Sequence, residues 1–319
     1  MVWNIGKADI MNILGKRYLF FAISIVFILV GMVILAFDGL PLAVDFKGGS
    51  LLEVQFSDTN LPSSEQVKDI YDQYQFNEVT VQTALDQNNI RSILVIRSPF
   101  MDEQQKIDIV NALKASVNTE SAVVNRFESV GPVIAQQVTQ RAGLAVAFAA
   151  LAVVLYITYA FKGIPHAFRY GICGILAMFH DVLIVISLAA IGGKFFGWQV
   201  DSMFLTALLT VIGFSVQDKI VVFDRIRENS IIFRKLEFEK LVNHSIVQTL
   251  QRSINTQLMT VEFMLLALAL FGGVTLREFA IILLVGLFSG TYSSIFVAAP
   301  ILVVWEKREW RTWFKKSAA

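Results

Sequence analysis

The chain is short of the residues that soluble secreted or catalytic domains rely on. Of 319 residues one is cysteine, three are histidine and six are proline, and only 17% are charged. A single cysteine, Cys173, excludes an intrachain disulfide and any zinc cluster built from thiolates. The histidines, His166, His180 and His244, form no H-E-x-x-H pair, so an intramembrane metalloprotease has no motif to rest on. No metal and no cofactor is expected. Few prolines and no Ser/Gly-rich or repetitive tract argue against a long disordered linker. Lys plus Arg number 27 against 26 Asp plus Glu, so there is no broad basic field to attract nucleic acid.

What is abundant is apolar surface. The chain is 55% hydrophobic with a mean hydropathy of +0.60, too apolar for a soluble enzyme that must coat itself in polar side chains. A bilayer core needs about 20 apolar residues of helix. Six runs approach that length, at 19–37, 142–160, 170–191, 203–223, 254–271 and 279–304. The first follows Lys16 and Arg17, is too long for a signal-peptide core and lacks a small-residue cleavage site, so a retained anchor is expected. Short connections suggest that 142–304 forms one bundle. With a cytoplasmic N-terminus, the inside segments hold sixteen Lys and Arg against two, Lys194 and Arg277, in the short outside loops. Both 1–18 and the basic 305–319 are therefore expected in the cytoplasm and 38–141 outside, which in a bacterium means the periplasm or the cell exterior.

The polar block 38–141 carries its own periodicity. Alternation predicts strands at 51–56, 78–84, 91–97 and 122–127. Helical spacing predicts helices at 63–74, on Val67, Ile70, Tyr71 and Tyr74, and at 102–117, on Ile107, Val110 and Leu113. The order βαββαβ implies a ferredoxin-like α+β domain inserted between the first and second of six transmembrane helices. It holds neither histidine nor cysteine, and its acids spread over helix surfaces, which suits binding or mechanical work better than catalysis.

Charges inside the apolar runs each cost about 2.5–3.5 kcal/mol at a helix centre and need a reason. They are His180 and Asp181, Asp218 and Lys219, Arg252, and Glu262. Asp218 lies about 22 Å along its helix, towards the cytoplasmic side, with Phe214, Ser215 and Val222 on its face. Arg252 opens the antiparallel fifth run from that same side, which makes Asp218 and Arg252 a candidate pair. Two readings stay open: a carboxylate that alternates between arginine and proton, or a static pair that holds the bundle. His180 and Asp181 are neighbours about 100° apart on a helix, so a direct couple is not expected. A structural polar contact is the simpler reading of both, and the partner of Glu262 stays open. Gly286, Gly290, Ser293 and Ser294 suit close helix packing, and the stretch around Phe238, Leu241, Ile246 and Leu250 suits a helix at the inner interface.

Several strings resemble those of a known family. G-F-S-V-Q-D-K-I-V-V-F-D-R-I-R-E-N at 213–229 resembles the signature of SecF, and V-D-F-K-G-G-S at 44–50 the D-F-x-G-G motif of the same family. V-G-P at 130–132, H-D-V at 180–182, R-S-I-N-T at 252–256, F-G-G at 271–273 and G-T-Y-S-S-I-F at 290–296 follow in the same order. The resemblance, to the SecD/SecF family of the resistance-nodulation-division superfamily, implies a proton-driven subunit that works with SecD to promote export of unfolded preprotein through SecYEG, with YajC as a further candidate partner. It does not imply a bond-breaking enzyme. It implies roles in proton use for Asp218 and Arg252, and marks Asp45, Gly48, Gly49 and Gly213 as motif residues. His180, Asp181, Asn255 and Thr256 are candidates for a proton path or for packing. Lys47, Gln217, Gln257 and Glu262 depart from the family pattern. A lipid or small-molecule exporter half and a passive translocon scaffold are the competing readings.

Overall fold

The computed structural model describes residues 12–56, 61–85, 92–117, 122–160, 167–257, 263–272 and 274–309. In chain order its elements are α1 (Arg17–Asp38), α2 (Val44–Lys47), β1 (Gly49–Phe56), α3 (Ser64–Gln73), β2 (Thr80–Leu85), β3 (Ser92–Ser98), α4 (Glu103–Ser116), β4 (Ala122–Val130), α5 (Pro132–Ala160), α6 (Ala167–Phe196), α7 (Ser202–Ile232), α8 (Phe238–Gln257), α9 (Phe263–Phe271), α10 (Val274–Ser293), a π-helical turn (Ser294–Ala298) and α11 (Ala299–Lys307). They divide into two compact units.

The smaller unit comprises Leu42–Leu144 and Val200–Ser202. Its four strands form an antiparallel sheet in the order β2-β3-β1-β4. Both helices start from reciprocal caps, in which Ser63 and Asp102 accept from the backbone N–H of Gln66 and Gln105 while those glutamines return the bond. Alternate residues Leu52, Val54 and Phe56 of β1 and Leu94 and Ile96 of β3 bury into one core with Val67 and Tyr71 of α3 and Ile109 and Leu113 of α4. Both helices therefore cover one face of the sheet. The buried stripe of α4 is Ile109, Val110 and Leu113, and Ile107 is exposed. Ile107 lies about 60° beyond the edge of that stripe, so the expected stripe was displaced by part of a turn. Tyr74 likewise falls outside the stripe of α3, at its C-terminal cap.

Gly48 and Gly49 have φ of +79° and +121°, a region that side chains disfavour, and a Cβ on Gly49 would sit 2.7 Å from the carbonyl oxygen of Ser98. This glycine pair turns the chain from α2 into β1. Asp45, on α2, accepts from the backbone N–H of Ser202 at 2.9 Å and from its hydroxyl at 2.5 Å. A carboxylate on the first N–H of α7 satisfies a helix-end donor and complements the helix dipole.

The larger unit holds Met1–Pro41, Ala145–Gln199 and Met203–Ala319. Among the described residues, five stretches are long and apolar enough to cross a membrane: Leu14–Asp38, Pro132–Ala160, Phe168–Phe196, Ser202–Ile232 and Leu276–Lys307. Polarity is inverted relative to a soluble core. On α1 the buried residues are Ser24 and Gly31, while Leu19, Ile23, Val26, Val30 and Val33 are exposed. Small residues face the neighbouring helix and large apolar ones face outward, as expected of helices solvated by lipid. A Cβ on Gly31 would come within 2.2 Å of Ser187 Cβ, so α1 and α6 touch backbone to backbone there. The run expected at 254–271 is divided in the structure between the end of α8 and α9, and 258–262, with Glu262, lies outside the described residues.

Within this unit, Ile13, Arg17 and Lys307 all bond to α8 or to the residue before it. Arg17 donates to Glu239 at 2.8 Å and to Glu309 at 2.6 Å, and Lys307 bonds Glu237 at 2.9 Å and also Glu239. The side-chain oxygen of Asn243 accepts from the backbone N–H of Ile13 at 3.1 Å. Burial alone would push the Glu239 carboxyl up, but hydrogen bonds from Lys307 and Arg17 outweigh it and hold the group below its usual value. A depressed carboxylate stabilises the fold above its unfolded pKa, and that contribution is lost as pH falls through the lower folded value. Glu239 is about a quarter exposed, so screening limits the effect to about 0.5–1 kcal/mol. Glu239→Gln should lower thermal stability at neutral pH by that amount and flatten its decline below about pH 4.5. Superimposable pH profiles of variant and parent would contradict this.

Candidate functional site

α6, α7 and α10 meet through small residues. A Cβ on Gly286 would lie 2.3 Å from Val211 Cγ2, and one on Gly290 would lie 3.2 Å from Ser215 Cα. That closeness lets short serine hydroxyls on one helix reach carboxylates on another. Two aspartates are buried in this way, each with its own set of donors.

Asp181, on α6, is 1% exposed. Its Oδ2 accepts from Ser215 Oγ at 2.6 Å, Lys219 Nζ at 2.7 Å and Ser293 Oγ at 2.7 Å. Its Oδ1 accepts from Ser289 Oγ at 2.9 Å and lies 3.0 Å from His180 Nδ1. Lys219 is equally buried, and its ammonium also bonds the Ser215 carbonyl at 3.2 Å and the Ser215 hydroxyl. Ser215 and Lys219 are four residues apart and so share a face of α7. The pair is desolvated, charge-compensated and saturated with hydrogen bonds, which is the condition under which a buried ion pair is tolerated. His180 stacks on Tyr292, with ring centroids 6.3 Å apart, and its Nε2 is buried with no hydrogen-bond partner among the described residues.

Asp218, next to Lys219 on α7, points about 100° away from it and forms the second centre. Its Oδ1 accepts from Ser253 Oγ of α8 at 2.8 Å and its Oδ2 from Ser294 Oγ at 2.7 Å. Asp218 is 8% exposed and, among the described residues, has no cation within ion-pair distance. Ser293 and Ser294 are consecutive, yet one serves Asp181 and the other Asp218. The π-helical turn begins at Ser294. Such a turn widens the helix by one residue and is a frequent mark of functional positions.

The arrangement differs from the sequence expectation in two ways, and adds a partner for Lys219 that the sequence did not indicate. Asp218 is buried as expected, but Arg252 does not pair with it; the neighbouring Ser253 does, and the Arg252 side chain is exposed. His180 and Asp181, not expected to couple directly, are in contact, because rotation about the side-chain bonds brings the ends of adjacent side chains together. Lys219, the one fully buried lysine among the described residues, bonds Asp181 rather than the adjacent Asp218. Asn255 and Thr256 are exposed and bond neither carboxylate. A Cβ at Gly213 would meet nothing within 4 Å among the described residues, whose packing gives no reason for that glycine. Ser293 and Ser294, read from the sequence as packing residues, are donors to the two carboxylates, and so is Ser289, which the sequence reading did not single out. The i, i+4 spacing of Ser289 and Ser293 on a largely apolar helix is a signal for that pair alone. Among the described residues no group of three His, Cys, Asp or Glu side chains could hold a metal ion.

Comparison with known proteins places these centres in a family. Residues 109–308 match the family described as protein export membrane protein SecD/SecF, C-terminal, and residues 33–59 match the SecD/SecF GG motif, which contains Asp45, Gly48 and Gly49. Protein translocase subunit SecF of Anaerolinea thermophila is 63% identical over 308 residues, covering 97% of this chain and 98% of that protein. The subunit of the same name from Thermobaculum terrenum is 43% identical, covering 96% and 98%. The crystal structure of SecDF, a translocon-associated membrane protein from Thermus thermophilus, superposes with a TM-score of 0.78 at 30% identity. It aligns with 93% of this chain, which spans 39% of the SecDF chain. With two family profiles, near full-length relatives and a matching solved structure, the chain belongs to the SecF subunits of the SecD/SecF protein-export family.

Proposed function

We propose that this chain acts with a SecD partner as a proton-driven accessory of the SecYEG translocon, drawing preprotein out of the bacterial inner membrane without breaking a bond itself. Both termini face the cytoplasm in this reading, the sheet-containing unit is a ferredoxin-like domain in the periplasm that engages emerging polypeptide, and the run 254–271 supplies the sixth span. YajC is a further candidate partner. The 39% share of the SecDF chain supports a separate partner that supplies the remainder.

The observation that carries the proposal is the contrast between the two aspartates. Asp181 is held by a lysine and five donors in all, whereas Asp218 is held by two hydroxyls. A hydroxyl can donate to a carboxylate or accept from a carboxylic acid by turning about one bond, so Asp218 can gain or lose a proton without an orphaned partner. Arg252 precedes Ser253 by one residue, about 100° around α8. Rotation of α8 by that angle exchanges the Ser253 hydroxyl for a guanidinium. A proton on Asp218 favours the hydroxyl arrangement, and its loss favours the arginine, which couples protonation to helix position.

Inverted membrane vesicles carrying the SecD partner, with or without this chain, test the proposal through the late rate of preprotein translocation. With the chain present, the rate should fall when an uncoupler collapses the gradient, and without it the uncoupler should make no difference. An equal response of both vesicle types would leave a passive scaffold.

A further inference from the structure

Lys219 places its ammonium where a bound cation would sit. Nζ lies among the Asp181 carboxylate at 2.7 Å, the Ser215 carbonyl at 3.2 Å and the Ser215 hydroxyl. The surrounding hydroxyls of Ser289 and Ser293 bond the same carboxylate at 2.9 and 2.7 Å. Carboxylate, carbonyl and hydroxyl oxygens are the ligand set that hard cations take, and the set is buried at the contact of three helices. All the donors of this lysine point at oxygens, and its side chain is 1% exposed. We infer that the Asp181 carboxylate, oriented by Ser289 and Ser293, and the carbonyl and hydroxyl of Ser215 form a monovalent-cation site that the chain fills with its own tethered ammonium, Lys219, so that the centre is closed to alkali ions.

This goes beyond the proton-coupled reading of Asp218 and does not rest on it. A tethered ammonium has an effective concentration that no free ion matches, which explains how the centre stays charge-compensated whatever the salt. It also separates the two aspartates by role. The Asp181 centre has its cation built in and joins α6, α7 and α10 permanently, leaving Asp218 as the carboxylate available to an exchanging ion.

The test removes the ammonium and keeps the stem. Lys219→Met preserves the buried aliphatic chain and vacates the position of Nζ. The full chain, purified in detergent with its partner, is unfolded by heat in potassium, sodium or choline chloride at equal ionic strength. The parent should unfold at one temperature in all three salts. Lys219→Met should unfold about 3 °C or more higher in potassium or sodium than in choline, because a cation bound only by the folded state stabilises it. Adding Asp181→Asn to Lys219→Met should abolish the difference. Equal unfolding temperatures for Lys219→Met in the three salts, or an equal salt response in the parent, would overturn the inference. If Lys219→Met does not survive detergent, limited proteolysis of Lys219→Met and Lys219→Ser in native membranes gives the same comparison. Protection by potassium or sodium over choline supports the site, and no difference overturns it.

Discussion

Asp218→Asn is expected to eliminate the gradient-dependent part of preprotein export while leaving the protein folded. The amide is isosteric with the carboxylate. Its oxygen can still accept from Ser253, and its nitrogen can donate to Ser294 once that hydroxyl turns to accept. Both bonds are kept and no ion pair is broken, so the change in stability should stay within about 1 kcal/mol. What is lost is the ability to alternate between a charged and a neutral form. Late translocation by the variant should match that of the uncoupled parent, with or without a gradient, while the amount of complex in the membrane stays unchanged. A variant that retains the parent's response to the gradient would make Asp218 a packing residue.

The opposite balance holds at the other aspartate. Asp181→Leu leaves the Lys219 ammonium buried without its counter-charge and takes the acceptor from Ser215, Ser289 and Ser293. Removing one partner of a buried pair typically costs about 3–5 kcal/mol, far more than the pair itself contributes. Thermal unfolding in detergent should therefore show a large loss for Asp181→Leu. Most of it should return in the double variant Asp181→Leu/Lys219→Met, where two apolar side chains replace two charges. Ser293 can then fall back on the Gly290 carbonyl, which already lies 3.1 Å from its hydroxyl. Equal stability of the single variant and the parent would contradict a structural role for the pair. A double variant as unstable as the single would point to the hydroxyl network, rather than the uncompensated charge, as the source of the loss.

Much of this was legible in the sequence, for identifiable reasons. Alternation in 51–56 and the helical spacing of Val67, Ile70 and Tyr71 marked elements of the small unit, since strand and helix periods are local. The burial of Asp218 followed from its depth in an apolar helix. Its partner did not follow, because Arg252 and Ser253 differ by one position and only packing decides which faces the carboxylate. Lys219 was visible as a charge in an apolar run, but its partner was not, because its long side chain reaches across to Asp181 on α6. The serines of α10 were hidden by their size. A small residue suits close packing and hydrogen bonding alike, and only the positions of the two aspartates distinguish the roles. The division of labour between the aspartates is therefore a property of three-helix geometry, and no single motif contains it.

The measurement that bears most directly on this division is proton entry into proteoliposomes containing this chain and its SecD partner, driven by an imposed membrane potential and followed by an internal pH dye. The parent should acidify the lumen, Asp218→Asn should not, and the Asp181→Leu/Lys219→Met variant should retain the activity. Proton entry that survives Asp218→Asn but disappears with the double variant would contradict the account, and would make the lysine-held aspartate the coupling group.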